Sequence, residues 1–331
     1  MISIIIIDNK IEKDGAAMYK IYSMEDGYLK ETDELKEDVW INMQQPTMDE
    51  SCKIANYYKI DFDDIIAALD DEESSRISVE DNYTIILVDV PINETRNEKR
   101  AYTTIPLEII LLDNSVITIC AEETSVIHAF TNKIIRDFTV KKKMRFIYQI
   151  IYRAALEYQS CLRNIDRRRT VIEEKAVKKE TDEGDLIELH ELESNLVYFE
   201  TSLNANRVVL DKMVRNSRIK QYQEDMELLE DVIIENSQAV EMANIYKDII
   251  HGSRDLISTI INNQLNDTMK YLTIITVVMA IPTVISGLYG MNVDTGGMPF
   301  AHTDMGFGII TLLIMCICIL ALIFKKKRRI W

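Results

Sequence analysis

Residues 262–292 place one kind of side chain along one helical face. Thr276, Ala280, Thr283 and Gly287 recur at steps of four, three and four, the spacing that stacks residues on one side of an α-helix. Asn262, Asn266, Met269 and Thr273 extend that face upstream, and Gly290-Met291-Asn292 closes it. A stripe of small and hydroxyl-bearing residues in an apolar run has two uses. It lets helices pack closely, the common membrane role of Gly, Ala and Thr. Alternatively it lines a watery path, where hydroxyls and the carbonyls freed near Pro282 and Gly287 face an ion. Catalysis has little support. His128, His190, His251 and His302 are dispersed, and the sequence has neither a nucleophile motif nor a Gly-rich phosphate loop, so no enzyme activity is expected.

The stripe sits in a segment unlike the rest of the chain. The 331 residues carry a formal charge of −16, yet residues 271–324 contain no Lys, Arg or Glu and only Asp294 and Asp304 as acids. The basic cluster "KKKRR" follows at 325–329. Residues 1–270 hold all but two of the 54 acidic and all but five of the 38 basic residues. That acidity argues against a nucleic-acid partner, which needs a basic surface. It suits cations, although acidity by itself is also ordinary for a soluble domain. The five cysteines are scattered without a CxxC pair, the pattern of a reducing compartment with no thiolate zinc site. The N-terminal "MISIIIIDNK" lacks a basic n-region and a small-residue cleavage site, and is expected to be a buried strand rather than a signal peptide.

Two stretches are long and apolar enough to cross a bilayer. "YLTIITVVMAIPTVISGLY" (271–289) is uncharged and as a helix spans roughly 28 Å, close to the hydrocarbon thickness. "GIITLLIMCICILALIF" (308–324) is shorter but adequate with its flanks. The link between them has no Lys or Arg, whereas Lys270 and the 325–329 cluster flank the outer ends. Both termini are therefore expected in the cytoplasm, with the link outside and Trp331 as an interfacial aromatic.

The preceding region divides by its prolines and glycines. Between Pro106 and Pro282 only Gly184 and Gly252 occur, so a long helical region is expected there. Before it, "YTIILVDVP" (83–91), "IPLEIILLD" (105–113) and "SVITICA" (115–121) predict buried strands, with "DNS" as a hairpin turn. "WINMQQPTMDE" and "DFDDIIAALDDEES" read as helix starts, with Thr47 and Asp61 as caps. Leu189, Leu192, Leu196 and Phe199 mark one helical stripe, and Ile249, Leu256, Ile260 and Leu265 another. A single helix from about residue 217 to 291 would be roughly 110 Å long. Its apolar stripe needs neighbours, from a multi-helix stalk or a monomeric bundle.

"YGMN" with "MPF" in the link between two C-terminal spans resembles the CorA family of divalent-cation channels. "NQLNDTMKYLTIITVVMAIPTVISGLYGMN" is similar to that family's pore helix, "DDEESSRISVEDNYTIILVDVP" to part of its N-terminal domain, and "KKKRRIW" to its basic tail. The resemblance implies a fold of an α/β cytosolic domain, long stalk α-helices and two transmembrane helices, assembled as a funnel-shaped homopentamer. It divides the chain into an N-terminal α/β domain (1–130), a helical stalk (131–270), a pore-lining first span (271–291), an external link (292–307), a second span (308–324) and a basic cytosolic tail (325–331). The implied function is Mg2+ uptake through a multi-pass protein of the plasma membrane, with Mg2+ also as regulator, no organic cofactor, and the lipid bilayer, divalent cations and copies of itself as partners.

The resemblance also assigns residues. Gly290, Met291 and Asn292 match the selectivity filter, a ring of carboxamides and carbonyls that can hold a hydrated ion without stripping it. Asn266, Leu272, Thr283 and Gly287 match pore-lining positions, with Leu272 in an apolar constriction; Thr276 and Ala280 share their stripe. Asp231 matches a regulatory carboxylate on the stalk helix, and Glu94 is a candidate partner for it. Some positions depart from the family's pattern. Ala280 stands where some members have a pore-lining Met, Pro282 comes one residue later, and Phe300 replaces a Glu that follows "MP" in many members. That leaves Asp294, Asp304 and His302 as the groups able to attract cations at the mouth. Transport of Zn2+, Co2+ or Ni2+ on the same fold is an alternative, and a membrane-anchored cytosolic sensor or scaffold is one of a different class.

Overall fold

The computed structural model describes residues 19–25, 27–96, 99–132, 135, 138–215, 223–292, 295–300, 303 and 305–328. The expected strand at the N-terminus and the mouth residues Asp294, His302 and Asp304 lie outside them, as does Trp331. The chain forms two compact units, Met1–Asp255 and Leu256–Trp331.

The first unit is built on a seven-stranded sheet. Its strands are β1 (Tyr19–Glu25), β2 (Tyr28–Thr32), β3 (Val39–Gln44), β4 (Arg76–Val79), β5 (Tyr83–Arg96), β6 (Lys99–Leu112) and β7 (Ser115–Cys120), in the order β2-β1-β3-β7-β6-β5-β4. Among the described strands only β3 and β7 pair in parallel. Helices cover both faces, which is why the central strands read as continuous apolar runs rather than alternating ones. Successive residues still part company: Ile109 and Val116 join one core, Ile110 and Ile117 the other, as the two-residue period of a strand requires. Trp40 anchors the first core. It packs against Tyr22, Phe130 and Phe146, and its indole N–H donates to Thr118 Oγ1 at 2.9 Å.

The β6–β7 turn comprises Asp113 and Asn114. Residues 40–44, read from sequence as part of a helix start, instead form β3, buried between β1 and β7. The helix begins only at α1 (Met48–Tyr58), where Thr47 and Glu50 make a reciprocal capping box. Asp61 caps the short α2 (Phe62–Ile66), which runs into a 3-10 turn at Ala67–Leu69. Both strand prolines are passed through rather than acting as boundaries. Pro106 lies just beyond the last β6–β7 pair, Leu107↔Cys120, and Pro91 lies beyond the β4–β5 pairing, which reaches Leu87. Each missing N–H falls where a neighbouring strand has ended. Beyond β4 the Asn206 side chain takes the strand's place: its amide donates to Asp89 O and accepts from Asp89 N, both at 2.8 Å.

One buried acid in this sheet bears on stability. Glu108 on β6 is fully buried, and among the described residues no side chain hydrogen-bonds its carboxyl oxygens. Burial pushes its carboxyl up from 4.5 to about 8, against lesser pulls from the Ala68 backbone and Arg76 and with a small push from Asp64. Between those two values the folded state holds a proton that the unfolded chain has lost, so stability falls as pH rises from about 4.5 to about 8. Glu108→Gln should flatten that slope and raise the melting temperature of the detergent-solubilised chain at mildly alkaline pH. Parallel melting curves against pH for the two proteins would contradict this.

After the sheet come α3 (Ser125–Thr131), α4 (Lys143–Val177), α5 (Glu183–Arg215) and α6 (Gln223–Tyr289). Lys175–Asp185 at 2.7 Å and Arg168–Glu188 at 2.8 Å hold α4 to α5. Leu189, Leu192, Leu196 and Phe199 are all buried along α5. Within the first unit α6 is fastened to these arms by polar contacts: Asn236 Nδ2 to Leu203 O at 3.1 Å, Gln159 Nε2 to Glu235 Oε2 at 2.6 Å, Lys247 to Glu200 and Ser253 to Glu173. Its inward face carries Leu229, Val232, Ala239, Ala243 and Ile250. The stripe read from sequence is therefore displaced, because Ile249, Leu256 and Leu265 are exposed. This helix has a second apolar face, where Ile234, Ile245 and Ile249 lie exposed at helical spacing opposite the inward one.

A candidate ion pathway and its outer turn

The second unit contains the C-terminal part of α6, a 3-10 turn at Thr295–Gly297 and α7 (Gly306–Arg328). By length and composition α6 can cross a membrane; the apolar stretch Gly306–Ile319 is shorter. Along α6, Ile274, Val278, Ile281 and Ile285 are partly covered, and the Val278 carbonyl accepts from Cys318 Sγ of α7 at 3.8 Å. At 100° per residue those four lie nearly opposite Thr276, Ala280, Thr283 and Gly287. The latter four are exposed, as are Asn266 and Leu272.

The hydroxyls on the exposed face are oriented by the helix itself. Thr276 Oγ1 donates to Leu272 O at 2.8 Å and Thr283 Oγ1 to Met279 O at 2.9 Å. With its proton turned back to the backbone, each hydroxyl presents lone pairs outward. That polarity matches the outward-pointing hydrogens of a hydrated cation. Gly287 adds space: a Cβ there would meet no atom within 4 Å, so packing within the chain does not demand glycine. Gly290 differs, since a Cβ would stand 3.2 Å from Ser286 O in the closing turn.

The outer turn is fastened at both ends. Gly290 N donates to Ser286 O at 2.9 Å and Met291 N to Leu288 O at 3.4 Å, which ends α6 and leaves Asn292 exposed just beyond it. The Tyr289 hydroxyl donates to Pro299 O at 2.8 Å and ties the link back onto the helix end. Phe300 adopts a left-handed backbone with φ 68°. Its carbonyl is 2.0 Å from where a Gly306 Cβ would stand, so Gly306 is required for α7 to start there. Sequence reasoning missed the Tyr289–Pro299 tie; no local pattern signals a hydroxyl reaching a carbonyl ten residues on.

The regulatory candidates lie in the first unit. Asp231 is exposed on α6, on the same outward face as Ile234, Ile245 and Ile249, and has no ion-pair partner among the described residues. Burial, and then the charges of Glu235 and Asp231, push the Tyr152 phenol up. Glu94 is half-buried on β5, opposite Ala101 of β6. Among the described residues no group of three or more His, Cys, Asp or Glu could hold a metal ion within one chain.

The family profile described as "CorA-like Mg2+ transporter protein" matches residues 36–328, nearly the whole chain. The chain belongs to the CorA-like Mg2+ transporter family. Members of this CorA-like family are membrane transporters of divalent cations. The "Cobalt/magnesium transport protein CorA" of Methanocaldococcus jannaschii is 27% identical over 297 residues, covering 87% of this chain and 90% of that protein. The "Magnesium transport protein CorA" of Helicobacter pylori is 23% identical, covering 89% and 91%. In fold, the chain is similar to the complete CorA magnesium transporter structure from Methanocaldococcus jannaschii, with a TM-score of 0.75 at 24% identity over 93% of this chain and 97% of that one. The full-length CmaX protein superposes with a TM-score of 0.67 at 15% identity, over 96% and 100%. The α/β domain and long helix of this CorA-like chain are thus shared with solved relatives.

Proposed function

We propose that this protein carries divalent cations, Mg2+ foremost, into the cell through a pore lined by one face of α6 in a homopentamer. The observation that carries the proposal is the placement of the small and hydroxyl-bearing stripe. Thr276, Ala280, Thr283 and Gly287 face away from the side of α6 that meets α7. An exposed stripe of this kind in a hydrophobic helix needs other helices or water against it. A ring of copies supplies both, with neighbours at its flanks and water along its axis. α7 forms the second span, the Lys325-containing tail and the first unit lie in the cytoplasm, and the Asn292 turn faces outside.

In this arrangement the exposed threonine oxygens accept hydrogen bonds from the ion's water shell, and Gly287 keeps the path wide. Mg2+ gives up its waters reluctantly, so a lining of acceptors suits it better than a cage of carboxylates. A ring of Leu272 side chains forms an apolar constriction that gates by dewetting. Gly290, Met291 and Asn292 form the outer filter, where carboxamide and carbonyl oxygens hold the hydrated ion. Asp231, with a partner acid such as Glu94 from another copy, binds cytosolic Mg2+ and holds the pore closed. A bound dication turns the repulsion between facing carboxylates into attraction.

Co2+ transport is a second reading, favoured by the name of the Methanocaldococcus jannaschii relative, a cobalt/magnesium transport protein. Purified chain in proteoliposomes, assayed for uptake of Mg2+, Co2+, Ni2+ and Zn2+ in parallel, tests both. Mg2+ uptake at the highest rate is expected. Uptake restricted to Zn2+ or Ni2+ would reassign the cargo, and no uptake of any of them would contradict the proposal.

A further inference from the structure

A proline inside a spanning helix leaves a debt at the carbonyl four residues before it. Pro282 has no N–H, so within α6 the Val278 carbonyl loses its helical donor. In hydrocarbon no water can replace it, and a bare carbonyl there is strongly disfavoured. The structure supplies a donor from the other helix, for the Cys318 thiol of α7 lies 3.8 Å from Val278 O. The next carbonyl along, Met279 O, accepts from the Thr283 hydroxyl at 2.9 Å. The backbone around the proline is therefore served from two sides: by Thr283 on the exposed stripe and by Cys318 on the face toward α7.

We infer that Cys318 is a positioning residue of the pore. It satisfies the carbonyl that Pro282 frees, and so holds α7 to α6 at the height of the stripe. This role of Cys318 rests on α6 being the pore helix. Val278 falls between Thr276 and Ala280 in sequence, so the thiol contact sets the rotation of α6 at the level where those residues face the ion. A thiol suits the place: it is small enough for a helix–helix contact, is a weak donor, and carries no charge into the membrane. Without Pro282 the contact would be redundant, because a residue with an N–H at 282 would serve Val278 O from within α6.

That dependence gives the test. In the full chain reconstituted in liposomes, Cys318→Ala should lower Mg2+ flux by about five- to tenfold, a change typical of coupled neighbours. Cys318→Ser, which keeps a donor, should retain most of the flux. In a Pro282→Ala background Cys318→Ala should change flux by less than about twofold, since the helix then supplies its own bond. An equal effect of Cys318→Ala in both backgrounds, or no effect in either, overturns the assignment. Infrared difference spectra between wild type and Cys318→Ala read the contact without transport: the S–H stretch of Cys318 should lie at the lowered frequency of a hydrogen-bonded thiol. A free-thiol frequency overturns the contact. A wild-type chain that passes no cation contradicts the pore itself, a failure distinct from an additive mutant cycle in a conducting channel.

Discussion

Gly287→Leu is expected to reduce Mg2+ flux by about a hundredfold or more, equivalent to roughly 2.7 kcal/mol on the permeation barrier. Within one chain the substitution is sterically free, because a Cβ at Gly287 meets nothing within 4 Å. Leucine is also a better helix former than glycine, so the chain should fold and assemble at least as well as wild type. In the proposed pentamer every copy directs this position toward the axis, where a ring of isobutyl groups would narrow the path and dry it. Gly287→Ala should fall between the two. Size-exclusion profiles that match wild type, together with lost flux, would place the effect in permeation. Undiminished flux through Gly287→Leu would mean that this face of α6 does not line the path.

Asp231→Ala should yield a channel that stays open at internal Mg2+ concentrations that silence the wild type. Asp231 is exposed on the outward face of α6, where the Tyr152 phenol of α4 feels its charge while its carboxylate stays open to another copy. In the proposed regulatory site the ion is shared between Asp231 and an acid of another copy. Removing one carboxylate from such a shared site weakens the closed state without touching the pore stripe. The peak flux at low internal Mg2+ should therefore be unchanged, while the inhibition curve shifts to higher Mg2+ by about tenfold or more, a shift of the size expected for one lost ligand contact in a two-state equilibrium. An inhibition curve that superposes on wild type would remove Asp231 from the regulatory site.

The parts of the fold that were legible in the sequence share a physical feature, an unbroken run whose composition admits one reading. The runs at 83–91, 105–113 and 115–121 are rich in β-branched residues, and all but the end residues Asp113 and Ala121 lie in β5, β6 and β7. Residues 39–44 escaped because the run is short and adjoins a genuine helix cap at Thr47, so the local signal was taken over by its neighbour. The edge strand β2, "YLKET", was unreadable for a different reason: its residues are exposed or only partly buried, as an edge strand's polar composition allows. On α6 the periodicity announces apolar faces but cannot rank them. Ile250 is turned inward and Ile249 outward, a choice made by the contacts of Asn236, Lys247 and Ser253 with the arms rather than by hydrophobicity.

The candidate site divides in the same way. The stripe of Thr276, Ala280, Thr283 and Gly287 follows from spacing alone, and the structure adds which way it faces. The roles of Gly290, Met291 and Asn292 came from resemblance, because nothing in the physics of a Gly-Met-Asn tripeptide demands a filter. The contacts of Cys318 with Val278 and of Tyr289 with Pro299 were not legible at all. Each joins residues whose pairing depends on how two segments meet.

The most direct test of the pore reading is Mg2+ uptake into proteoliposomes by wild type and Asn292→Ala at matched protein content. Asn292 is exposed just beyond the end of α6, where loss of its carboxamide would remove the proposed filter's acceptors without disturbing the Gly290 and Tyr289 contacts that shape the turn. Robust uptake by wild type and near-background uptake by Asn292→Ala is the expected result. Mg2+ uptake by Asn292→Ala equal to that of wild type would contradict a filter at this turn.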